Sequence, residues 1–340
     1  MSTILVTGAS GAIGSWLAKA LLDKGHEVVS ILHDNRPFTP SKIIGVHDKI
    51  SWAHGDLLDE SFVKRVVADY AVESIFHLAA LPLVQVGTRT TVPIFQTNIM
   101  GTVNLLEAVK ENHWAGKNIR FIMMASDKVY GNAGEISYTE NMPLNGLSIY
   151  DCSKACADMI SRTYATCNFA SLVSIARPCN TIIPGDLLNL GRILPRLIIP
   201  AIRGDSPGVY RTEYLREFIW VGDVVDALIA LDEGLRTDPE RFHGEAFNVG
   251  SGQQATLDEI VTLVMEHFPG IGVDWADPPA ISRVEIPFQM LDTTKLKSYT
   301  TWKPRYTLIN SVRMLIDWTV DHWDSLPEPI KNYKTQGWHA

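Results

Sequence analysis

Short apolar runs rich in β-branched residues alternate with amphipathic segments through the first half of the chain. The runs have the length of buried strands, and the apolar spacing between them predicts helices. The strand-like runs are ILVTG, EVVSIL, ISWAHG, ESIFHLAA, IRFIMMAS and SLVSIARP, and two of the helical segments are SWLAKALLDKG and TNIMGTVNLLEAVKEN. Alternation of this kind is typical of βαβ units, so we predict an α/β fold with a doubly wound parallel sheet and helices on both faces.

The pattern becomes less regular after about Pro178, where proline and glycine are frequent. Two later segments have helical spacing: TLDEIVTLVMEHF, which opens with a capping box of Thr256 and Glu259, and TLINSVRMLIDWTV near the end. We therefore predict a smaller C-terminal α/β substrate-binding lobe. REFIWVGDVVDALIAL has the pattern of a strand and a helix that return to the first lobe. The predicted division is 1–178 with about 216–250 in the first lobe, and about 179–215 with 251–340 in the second.

Composition narrows the functional classes. With 340 residues, of which 46% are hydrophobic and 20% charged, the chain can bury a large core. A net charge of -8 without a basic block argues against nucleic acid or an acidic membrane as a partner. The opening TILVTG has no signal-peptide pattern, and no apolar run approaches the ~20 residues that span a bilayer, so we expect a cytoplasmic protein. Four cysteines without CxxC spacing or a histidine cluster predict reduced thiols and no metal site.

The glycine-rich segment TGASGAIG follows the first strand and opens the first helix. Its glycines permit a tight turn and close approach of the backbone to a pyrophosphate, whose charge the free amides of the helix start would stabilise. The spacing is GxxGxxG rather than GxGxxG, but its position at the first βα junction predicts a Rossmann-type dinucleotide site. The predicted cofactor-binding residues of this turn are Gly8, Ser10, Gly11, Ala12, Ile13 and Gly14.

The adenosine end of the cofactor is expected near the second and third strands. Asp56 is placed to accept a hydrogen bond from an adenine amino group, and it could also cap a helix. The acid that binds the ribose hydroxyls is expected just after Leu32, where Asp34 favours NAD. Arg36 and His33 could instead accommodate the 2′-phosphate of NADP. We therefore expect NAD, with NADP as the alternative.

Tyr150 and Lys154 are four residues apart in an amphipathic helical segment, which places both side chains on one face. A tyrosine beside an ammonium and an oxidised nicotinamide has its phenolate favoured, so it can exchange a proton with a sugar hydroxyl. A YxxxK pattern alone is weak. Ser126, a hydroxyl at the end of the fifth strand, makes the combination with the glycine turn specific.

Together these motifs resemble the extended short-chain dehydrogenase/reductase family, the nucleotide-sugar epimerases and dehydratases, over nearly the whole chain. Further matching segments are HLAA at 77–80, TNIMGT, SDKVYG, YDCSK, RPCN at 177–180, REFIWVGD and the tail PFQMLDTTKLKSYTTWKP. The resemblance implies that Ser126 and Tyr150 hydrogen-bond the sugar hydroxyl at carbon 4, that Lys154 binds the nicotinamide ribose, and that a hydride passes to NAD. The remaining cofactor residues that it implies are Asp56, Leu57, Leu78, Ala79, Ala80 and Asn98.

The two residues after Ser126 distinguish branches of this family. Its epimerases generally have small or inert residues there, its dTDP-glucose 4,6-dehydratases have Asp-Glu, and its CDP-glucose 4,6-dehydratases have Asp-Lys. This chain has Asp127 and Lys128. The segment TIIPGDLLNLGRILPRLI departs from the shorter glycine-rich loop of the CDP-glucose branch, which leaves the base open. The resemblance therefore implies a nucleotide-sugar 4,6-dehydratase, with a CDP-glucose-like substrate favoured.

Elimination in such an enzyme requires an acid and a base. Oxidation at carbon 4 acidifies the proton on carbon 5, and an acid must protonate the hydroxyl that leaves carbon 6. We assign Asp127 as the acid, which requires a pKa raised by desolvation. Lys128 is the candidate base, or it remains charged and stabilises the enolate. The alternative is a purely structural role, in which Asp127 caps a turn and Lys128 pairs with it.

Two other classes of function remain open. A 4-epimerase would use Ser126, Tyr150 and Lys154 in the same way but return the hydride to the other face of the sugar. It would have no necessary role for Asp127 or Lys128. A non-catalytic dinucleotide-binding regulator usually lacks the catalytic tyrosine or lysine, and this chain has both.

The resemblance also implies a binding site for the sugar diphosphate. Asn180, Arg216 and Arg283 match family residues at that site. The arginines would form charge-assisted hydrogen bonds with the phosphates. Each arginine could equally lie in a surface ion pair.

Assembly is a further implication of the resemblance. Relatives commonly dimerise through two helices, which correspond here to about 92–112 and 150–167, so we expect a homodimer. Apolar side chains in the second helix would suit that interface unless they face the sheet. They are Cys152, Cys156, Met159 and Ile160.

Overall fold

Twelve strands form three sheets in the part of the chain that the computed structural model describes, residues 1–82, 91–167, 172–186, 191–278 and 286–333. The strands are β1 (Thr3–Thr7), β2 (Glu27–Leu32), β3 (Ser51–His54), β4 (Ser74–His77), β5 (Arg120–Met124), β6 (Leu172–Pro178), β7 (Asn180–Ile182), β8 (Gly208–Tyr210), β9 (Leu215–Trp220), β10 (Glu245–Val249), β11 (Gln254–Thr256) and β12 (Asp274–Ala276). Seven of them pair in parallel in the order β10-β6-β5-β4-β1-β2-β3. The predicted parallel sheet is therefore confirmed.

Helices connect successive strands of the large sheet. The α-helices are α1 (Ala12–Asp23), α2 (Pro40–Ile43), α3 (Glu60–Asp69), α4 (Thr91–Phe95), α5 (Gly101–Trp114), α6 (Ile149–Thr166), α7 (Ile193–Ile202), α8 (Val221–Thr237), α9 (Pro239–Phe242), α10 (Leu257–Met265), α11 (Thr294–Tyr299), α12 (Leu308–Asp321) and α13 (Glu328–Lys331). A π-helical turn, Gln96–Met100, joins α4 to α5, and 3-10 turns lie at His47–Lys49, Asp127–Tyr130 and Trp323–Ser325. Within the described ranges, no helix is long and apolar enough to cross a membrane.

Local sequence signals explain where α6 and α10 begin. The Ser148 side chain accepts from the Asp151 amide ahead of α6, and the Asp151 carboxylate accepts from the Ser148 amide in return. Thr256 and Glu259 form the same reciprocal pair ahead of α10, as predicted. Each box satisfies amides that a helix start leaves unpaired, so both starts are defined by nearby residues.

The strand order of the large sheet reverses beside β1. β2 and β3 extend the sheet on one side of β1, whereas β4, β5, β6 and β10 extend it on the other. Because crossovers between parallel strands are right-handed, the reversal places helices on both faces, with α1 packed against α8, and α5 packed against α3 and α6. The carboxyl ends of β1 and β4 therefore border a crevice, which is where open α/β sheets bind ligands.

The smaller sheets are built from later parts of the chain. β9 pairs in parallel with β7 and antiparallel with β11, and β8 pairs with β12. The strand in REFIWVGDVVDALIAL differs from its expected return to the first lobe, because β10 already occupies the edge of the large sheet beside β6. The helix does return, since α8 packs against β5 and β6. The division into two lobes stays a prediction.

One buried charge joins α6 to the central sheet. Arg177 on β6 is 0% exposed, and its Nε and Nη2 donate to the two carboxylate oxygens of Asp158 at 2.8 and 3.0 Å. Its Nη1 donates to the Tyr130 hydroxyl at 2.8 Å and to the Glu140 carbonyl at 3.2 Å. A buried guanidinium needs this set of acceptors because an unmatched charge in the core is strongly unfavourable. The pair therefore fixes the helix that carries both Tyr150 and Lys154.

Replacing Asp158 with Ala should destabilise the fold strongly. The change leaves the Arg177 guanidinium buried without its counterion, so we expect the free energy of unfolding to fall by about 3–5 kcal/mol. Urea unfolding measures the loss. Asp23→Ala is the control, because Asp23 pairs with Lys19 on the surface of α1 and should cost less than about 1 kcal/mol. Similar losses in both variants would contradict the conclusion that the buried Arg177 guanidinium needs Asp158 as its counterion.

Candidate active site

The turn between β1 and α1 brings two backbone segments into contact. Gly8 has a φ of +79°, and a Cβ there would lie 2.9 Å from the amide nitrogen of Ala79, which follows β4. A Cβ at Gly14 would lie 2.2 Å from the carbonyl oxygen of Gly8. Both positions require glycine, since any side chain would overlap backbone atoms.

The start of α1 leaves its amides available for a ligand. Gly11 is the N-cap and supplies no side-chain acceptor, and the first turn of α1 contains no acidic residue. Ser10, Ala12 and Ile13 are half-buried around this turn. Unpaired amides and the positive end of a helix dipole favour an anion, so the turn fits the pyrophosphate of a dinucleotide.

The two acids predicted to contact the adenosine lie on either side of one histidine. His33 Nδ1 is 3.0 Å from Asp34 Oδ1, and His33 Nε2 is 3.3 Å from Asp56 Oδ2. Arg36 Nη2 lies 3.6 Å from Asp34 Oδ2, so the arginine is already partnered by the acid that favours NAD. The alternative of Asp56 as a helix cap is wrong, because Asp59 caps α3.

Asn98 joins the loop after β4 to the helix α6. Its Oδ1 accepts from the Leu81 amide at 2.8 Å, and its Nδ2 donates to Ser153 Oγ at 2.9 Å. Asn98 is 1% exposed, and its side-chain amide bonds to protein groups. It therefore shapes the crevice by positioning these two segments. Of the other predicted cofactor residues, Leu57 and Leu78 are buried, and Ala79 and Ala80 are half-buried.

Tyr150 and Lys154 lie one turn apart at the start of α6. Ser153 Oγ donates to the Tyr150 carbonyl at 2.7 Å, and Lys154 is 2% exposed. In the part of the chain that the structure describes, neither the Tyr150 hydroxyl nor the Lys154 ammonium has a hydrogen bond or ion pair. Buried polar groups are usually partnered, so the ammonium of the buried Lys154 is suited to bind a ligand, and the Tyr150 hydroxyl is half-buried beside it on the same helix.

Burial shifts the pKa values of both groups. Desolvation lowers the pKa of Lys154 to about 8, against the opposing charge of Asp158. It raises the pKa of Tyr150 to about 12, against the charge of Arg192. The protein groups alone therefore favour the neutral hydroxyl of Tyr150 over the expected phenolate, because desolvation outweighs the charge of Arg192 and two nearby carboxylates act in the same direction as desolvation. Proton abstraction by Tyr150 requires a further positive charge beside it.

Ser126 and Asp127 lie at the carboxyl end of β5. Ser126 caps the following 3-10 turn by accepting from the Lys128 amide at 3.3 Å, so the alternative in which Asp127 caps the turn is wrong. Ser126 Oγ donates to Asp127 Oδ1 at 3.0 Å. Burial raises the pKa of Asp127, although the charges of Lys128 and Arg216 oppose this rise. A raised pKa is what a role of Asp127 as an acid requires.

Two buried residues beside Asp127 were not predicted from the sequence. Gln289 is 0% exposed and donates from Nε2 to Asp127 Oδ2 at 3.1 Å. Glu217 is also 0% exposed and accepts from the Gly252 and Leu291 amides, each at 2.7 Å. Burial raises the pKa of Glu217 to about 7, with a further contribution from the charge of Asp127. A carboxylate inside the apolar run REFIW was the available signal for Glu217, whereas the irregular segment around Gln289 offered none.

The predicted diphosphate residues lie on adjacent strands. Asn180 on β7 donates from Nδ2 to the Glu217 carbonyl at 3.0 Å. Arg216 on β9 stacks its guanidinium 4.9 Å from the centre of the Tyr214 ring, and its charge opposes the rise in the pKa of Asp127. Arg283 lies outside the described residues. The structure therefore brings Asn180 and Arg216 to the same edge as the candidate acid.

Arg192 is a further cation that was not predicted. It precedes α7, and its Nη1 lies 2.7 Å from Asp186 Oδ2. Its charge opposes the rise in the pKa of Tyr150, so Arg192 acts on the start of α6. The signal was its position in TIIPGDLLNLGRILPRLI, the segment that departs from the expected loop. Among the described residues, no group of three His, Cys, Asp or Glu could hold a metal ion.

Comparison with known proteins places this arrangement in a family. A family model described as GDP-mannose 4,6 dehydratase matches residues 5–315. The chain belongs to this family. The match spans the glycine turn, the Ser126–Lys128 segment and the helix that carries Tyr150 and Lys154. Membership confirms the predicted relation to the nucleotide-sugar dehydratases and epimerases.

The individual relatives of this family member differ in activity. CDP-glucose 4,6-dehydratase of Salmonella typhimurium is 28% identical over 329 residues, which cover 93% of this chain and 89% of the relative. UDP-glucose 4-epimerase of Erwinia amylovora is 29% identical over 282 residues, which cover 76% of this chain and 81% of the relative. The solved structure of MoeE5 in complex with UDP-glucuronic acid and NAD has a TM-score of 0.78 and 27% identity, and the match covers 95% of this chain and 100% of that one. Because the fold is shared, the residues around the reacting carbon must distinguish the reactions.

The raised pKa of Glu217 predicts a pH dependence of stability. This pKa is about 7 in the folded chain against an ordinary value of 4.5, so the folded chain binds more protons between these values. Stability should therefore fall as pH rises from 4.5 to 7, by up to about 3 kcal/mol from this group, and then level off. Urea unfolding of the wild type and of Glu217→Gln across this window measures it.

The amide of Glu217→Gln is uncharged at every pH, so this variant should lack that part of the pH dependence. Glu213→Gln is the control, because Glu213 is exposed on the segment before the same strand and should retain the wild-type slope. Equal slopes in the wild type and in Glu217→Gln would contradict the assignment of a raised pKa to Glu217.

Proposed function

We propose that this family member is a nucleotide-sugar 4,6-dehydratase that uses bound NAD. The observation that carries the proposal is Asp127, a buried carboxyl with a raised pKa, hydrogen-bonded to Ser126. A reaction that expels a hydroxyl needs an acid at this place, whereas epimerisation at carbon 4 does not. The similarity to CDP-glucose 4,6-dehydratase favours a CDP-glucose-like substrate, with the base left open.

The glycine turn and its surroundings fit NAD. Gly8 and Gly14 leave no room for side chains, and α1 presents unpaired amides toward the pyrophosphate position. Asp34 suits the ribose hydroxyls, and its pairing with Arg36 supports NAD over NADP. When bound, NAD would accept a hydride from carbon 4 of the sugar and return it to carbon 6 after water has left, while carbon 5 regains a proton, so the product is a 4-keto-6-deoxy sugar. NAD is also present in the similar MoeE5 structure.

Three side chains would act on the hydroxyl at carbon 4. Tyr150 takes its proton, and Ser126 holds its oxygen by a hydrogen bond. Lys154, with a pKa of about 8, is mostly cationic near neutral pH. Its charge would oppose the effect of burial on Tyr150 once a ligand brings the three groups together, because a cation beside a phenolate favours the ionised form.

Asp127 and Lys128 would perform the loss of water. Once carbon 4 is a ketone, the carbanion at carbon 5 is conjugated with it, and the carbon 6 hydroxyl leaves if Asp127 protonates it. Lys128 takes the carbon 5 proton, or it stays charged and stabilises the enolate. The charge of Lys128 acts on Asp127, which supports the electrostatic role.

A 4-epimerase is the second candidate. UDP-glucose 4-epimerase is among the similar proteins, and such an enzyme would use Ser126, Tyr150 and Lys154. It would leave Asp127 and Lys128 without a chemical role, although burial of Asp127 imposes a desolvation cost. A non-catalytic dinucleotide-binding regulator is disfavoured because Tyr150 and Lys154 are both present.

The sugar diphosphate would be held by Asn180, Arg216 and Arg283, with Arg192 as an added cation near Tyr150. Arginine suits this task because its planar guanidinium donates two parallel hydrogen bonds to phosphate oxygens. A chain of net charge -8 needs such local cations to hold an anion.

A homodimer in the cytoplasm is part of the proposal. The helices expected at the dimer interface expose large apolar side chains, which a second copy would cover. The exposed residues are Val92, Met100, Trp114 and Met159. Cys152, Cys156 and Ile160 are half-buried and are therefore not fully used in packing against the sheet.

A panel of nucleotide hexoses tests the proposed function. Purified protein is incubated with CDP-, dTDP-, GDP- and UDP-linked hexoses, and the products are examined by mass spectrometry. We expect one nucleotide sugar to lose one water, with CDP-glucose the first candidate. An isomer of unchanged mass would favour the 4-epimerase, and no product with any of them would favour the regulator.

Replacing Asp127 with Asn or Lys128 with Met should slow water loss by ~10²–10⁴-fold, the usual contribution of general acid-base catalysis. Oxidation at carbon 4 should persist, because Ser126, Tyr150 and Lys154 are unchanged. Stopped-flow absorbance of the reduced nicotinamide reports the oxidation, and product mass reports the water loss.

The chain offers a matched control for these variants. Asp48 and Lys49 form the same dipeptide in an exposed 3-10 turn, so Asp48→Asn and Lys49→Met should leave both steps unchanged. Water loss at the wild-type rate in both Asp127→Asn and Lys128→Met would refute the dehydratase roles.

A further inference from the structure

The segment 288–292, here named the strap, is fixed by hydrogen bonds to Tyr138 and to Glu217 on β9. The Tyr138 amide donates to the Met290 carbonyl at 2.8 Å, and the Asp292 amide donates to the Tyr138 carbonyl at 2.9 Å. The Leu291 amide donates to Glu217 Oε2 at 2.7 Å. The Phe288 carbonyl accepts from the Tyr138 hydroxyl at 2.7 Å. Because residues on both sides of it are held, Gln289 has a defined backbone position beside Asp127.

The Gln289 backbone is held as well. Its amide donates to the Leu215 carbonyl at 3.1 Å, and its carbonyl accepts from Gln254 Nε2 at 3.1 Å. The side chain is therefore projected from a rigid frame toward Asp127. Preorganised partners of this kind hold a reacting group with little cost in conformational entropy at the moment of reaction.

The Gln289 side chain has one polar contact in the described residues. Its Nε2 donates to Asp127 Oδ2 at 3.1 Å, and its buried Oε1 has no hydrogen-bond partner there. The residue is 0% exposed. An unmatched buried amide oxygen is unfavourable, and a core glutamine that served only packing would be better replaced by an apolar residue.

Because Oε1 has no other partner in the described part of the chain, Asp127 alone determines which way the Gln289 amide is oriented. An ionised Asp127 accepts hydrogen bonds only, so it selects Nε2. A protonated Asp127 is a donor, and a half-turn of the terminal torsion of Gln289 would present Oε1 to it. The torsions of amide groups have two nearly equivalent orientations, so this exchange needs no backbone movement.

We propose that Gln289 is a positioning residue for Asp127, whose amide turns to hydrogen-bond Asp127 both as a carboxylate and as an acid. The inference rests on the proposed function, in which Asp127 gives up a proton during water loss and regains it before the next turnover. Gln289 keeps the carboxyl oriented in both states. It reaches the site from a part of the chain 162 residues away from Asp127.

Other charges also act on Asp127 and must be held constant in the test. They come from the 3-10 turn, the segment after it, α6, the end of β6 and β9. Gln289 itself carries no charge. The titratable and charged groups are Lys128, Tyr138, Tyr150, Asp151, Cys179, Arg216 and Glu217. Uncharged substitutions of Gln289 leave all of them in place.

Gln289→Met tests the proposal, because methionine has a similar length and no strong hydrogen bond. The carboxylate loses a charge-assisted bond and the acid loses a weaker neutral one, so Asp127 should hold its proton to higher pH. The alkaline limb of the single-turnover rate of water loss should move up by about one pH unit, and the rate at the optimum should fall roughly tenfold. The KM for the nucleotide sugar should not change.

Gln254→Met is the matched control, because Gln254 also contacts the strap but only through the Gln289 carbonyl. It should retain the wild-type pH profile. An unchanged profile in Gln289→Met, or an equal shift in both variants, would overturn the proposal. If Gln289→Met does not fold, Gln289→Leu provides the same test with an uncharged side chain that forms no hydrogen bond: the alkaline limb should move up, and an unmoved limb would overturn the proposal.

A measurement without turnover separates this inference from the proposed function. The infrared band of the protonated Asp127 carboxyl, identified by its loss in Asp127→Asn, is titrated in the wild type and in Gln289→Met. A higher midpoint in the variant supports the positioning role even if no nucleotide sugar loses water. Equal midpoints reject the role even if the enzyme is a dehydratase.

Discussion

Removal of ionisable groups from water at the carboxyl edge of the central sheet is the constraint on which the site depends. Asp127 and Glu217 are harder to ionise there than in water, and Lys154 is harder to protonate. In water these groups would be fully charged at neutral pH and poor at exchanging protons. Burial brings the pKa values of Glu217 and Lys154 to about 7 and about 8, which is the range in which proton transfer is efficient.

Burial at this level is tolerated because fixed partners compensate it. The carboxylate of Glu217 accepts two backbone amides, and Arg177 has Asp158 and two further acceptors. The partners belong to the rigid parts of the fold, the sheet and the segments laid against it. Groups that have no protein partner among the described residues, such as the Lys154 ammonium, are those that a ligand would meet.

Much of the fold and part of the site followed from local patterns. The glycines at 8 and 14 were predicted from spacing, and the close approach to Ala79 and to the Gly8 carbonyl supplies the reason. The capping box at Thr256 and the shared face of Tyr150 and Lys154 also needed only nearby residues. The sequence predicted a lowered pKa for Tyr150 and offered Asp56 as a helix cap, whereas the pKa is raised and Asp59 is the cap. Neither was foreseen, because desolvation and helix starts depend on surrounding segments.

The sequence by itself determined the alternation of strands and helices, the anion-binding turn and the choice of Ser126, Asp127 and Lys128 at the end of β5, because each depends on residues close in the chain. Only the tertiary structure decided which distant groups surround Asp127. Gln289 donates to it from an irregular segment that has no periodic pattern. The charges of Glu217 and Asp127 interact, and Glu217 lies on a strand that the sequence pattern assigned to the first lobe but the fold places in a separate small sheet. Burial and proximity are properties of the packed chain, and these set the charge that each group carries.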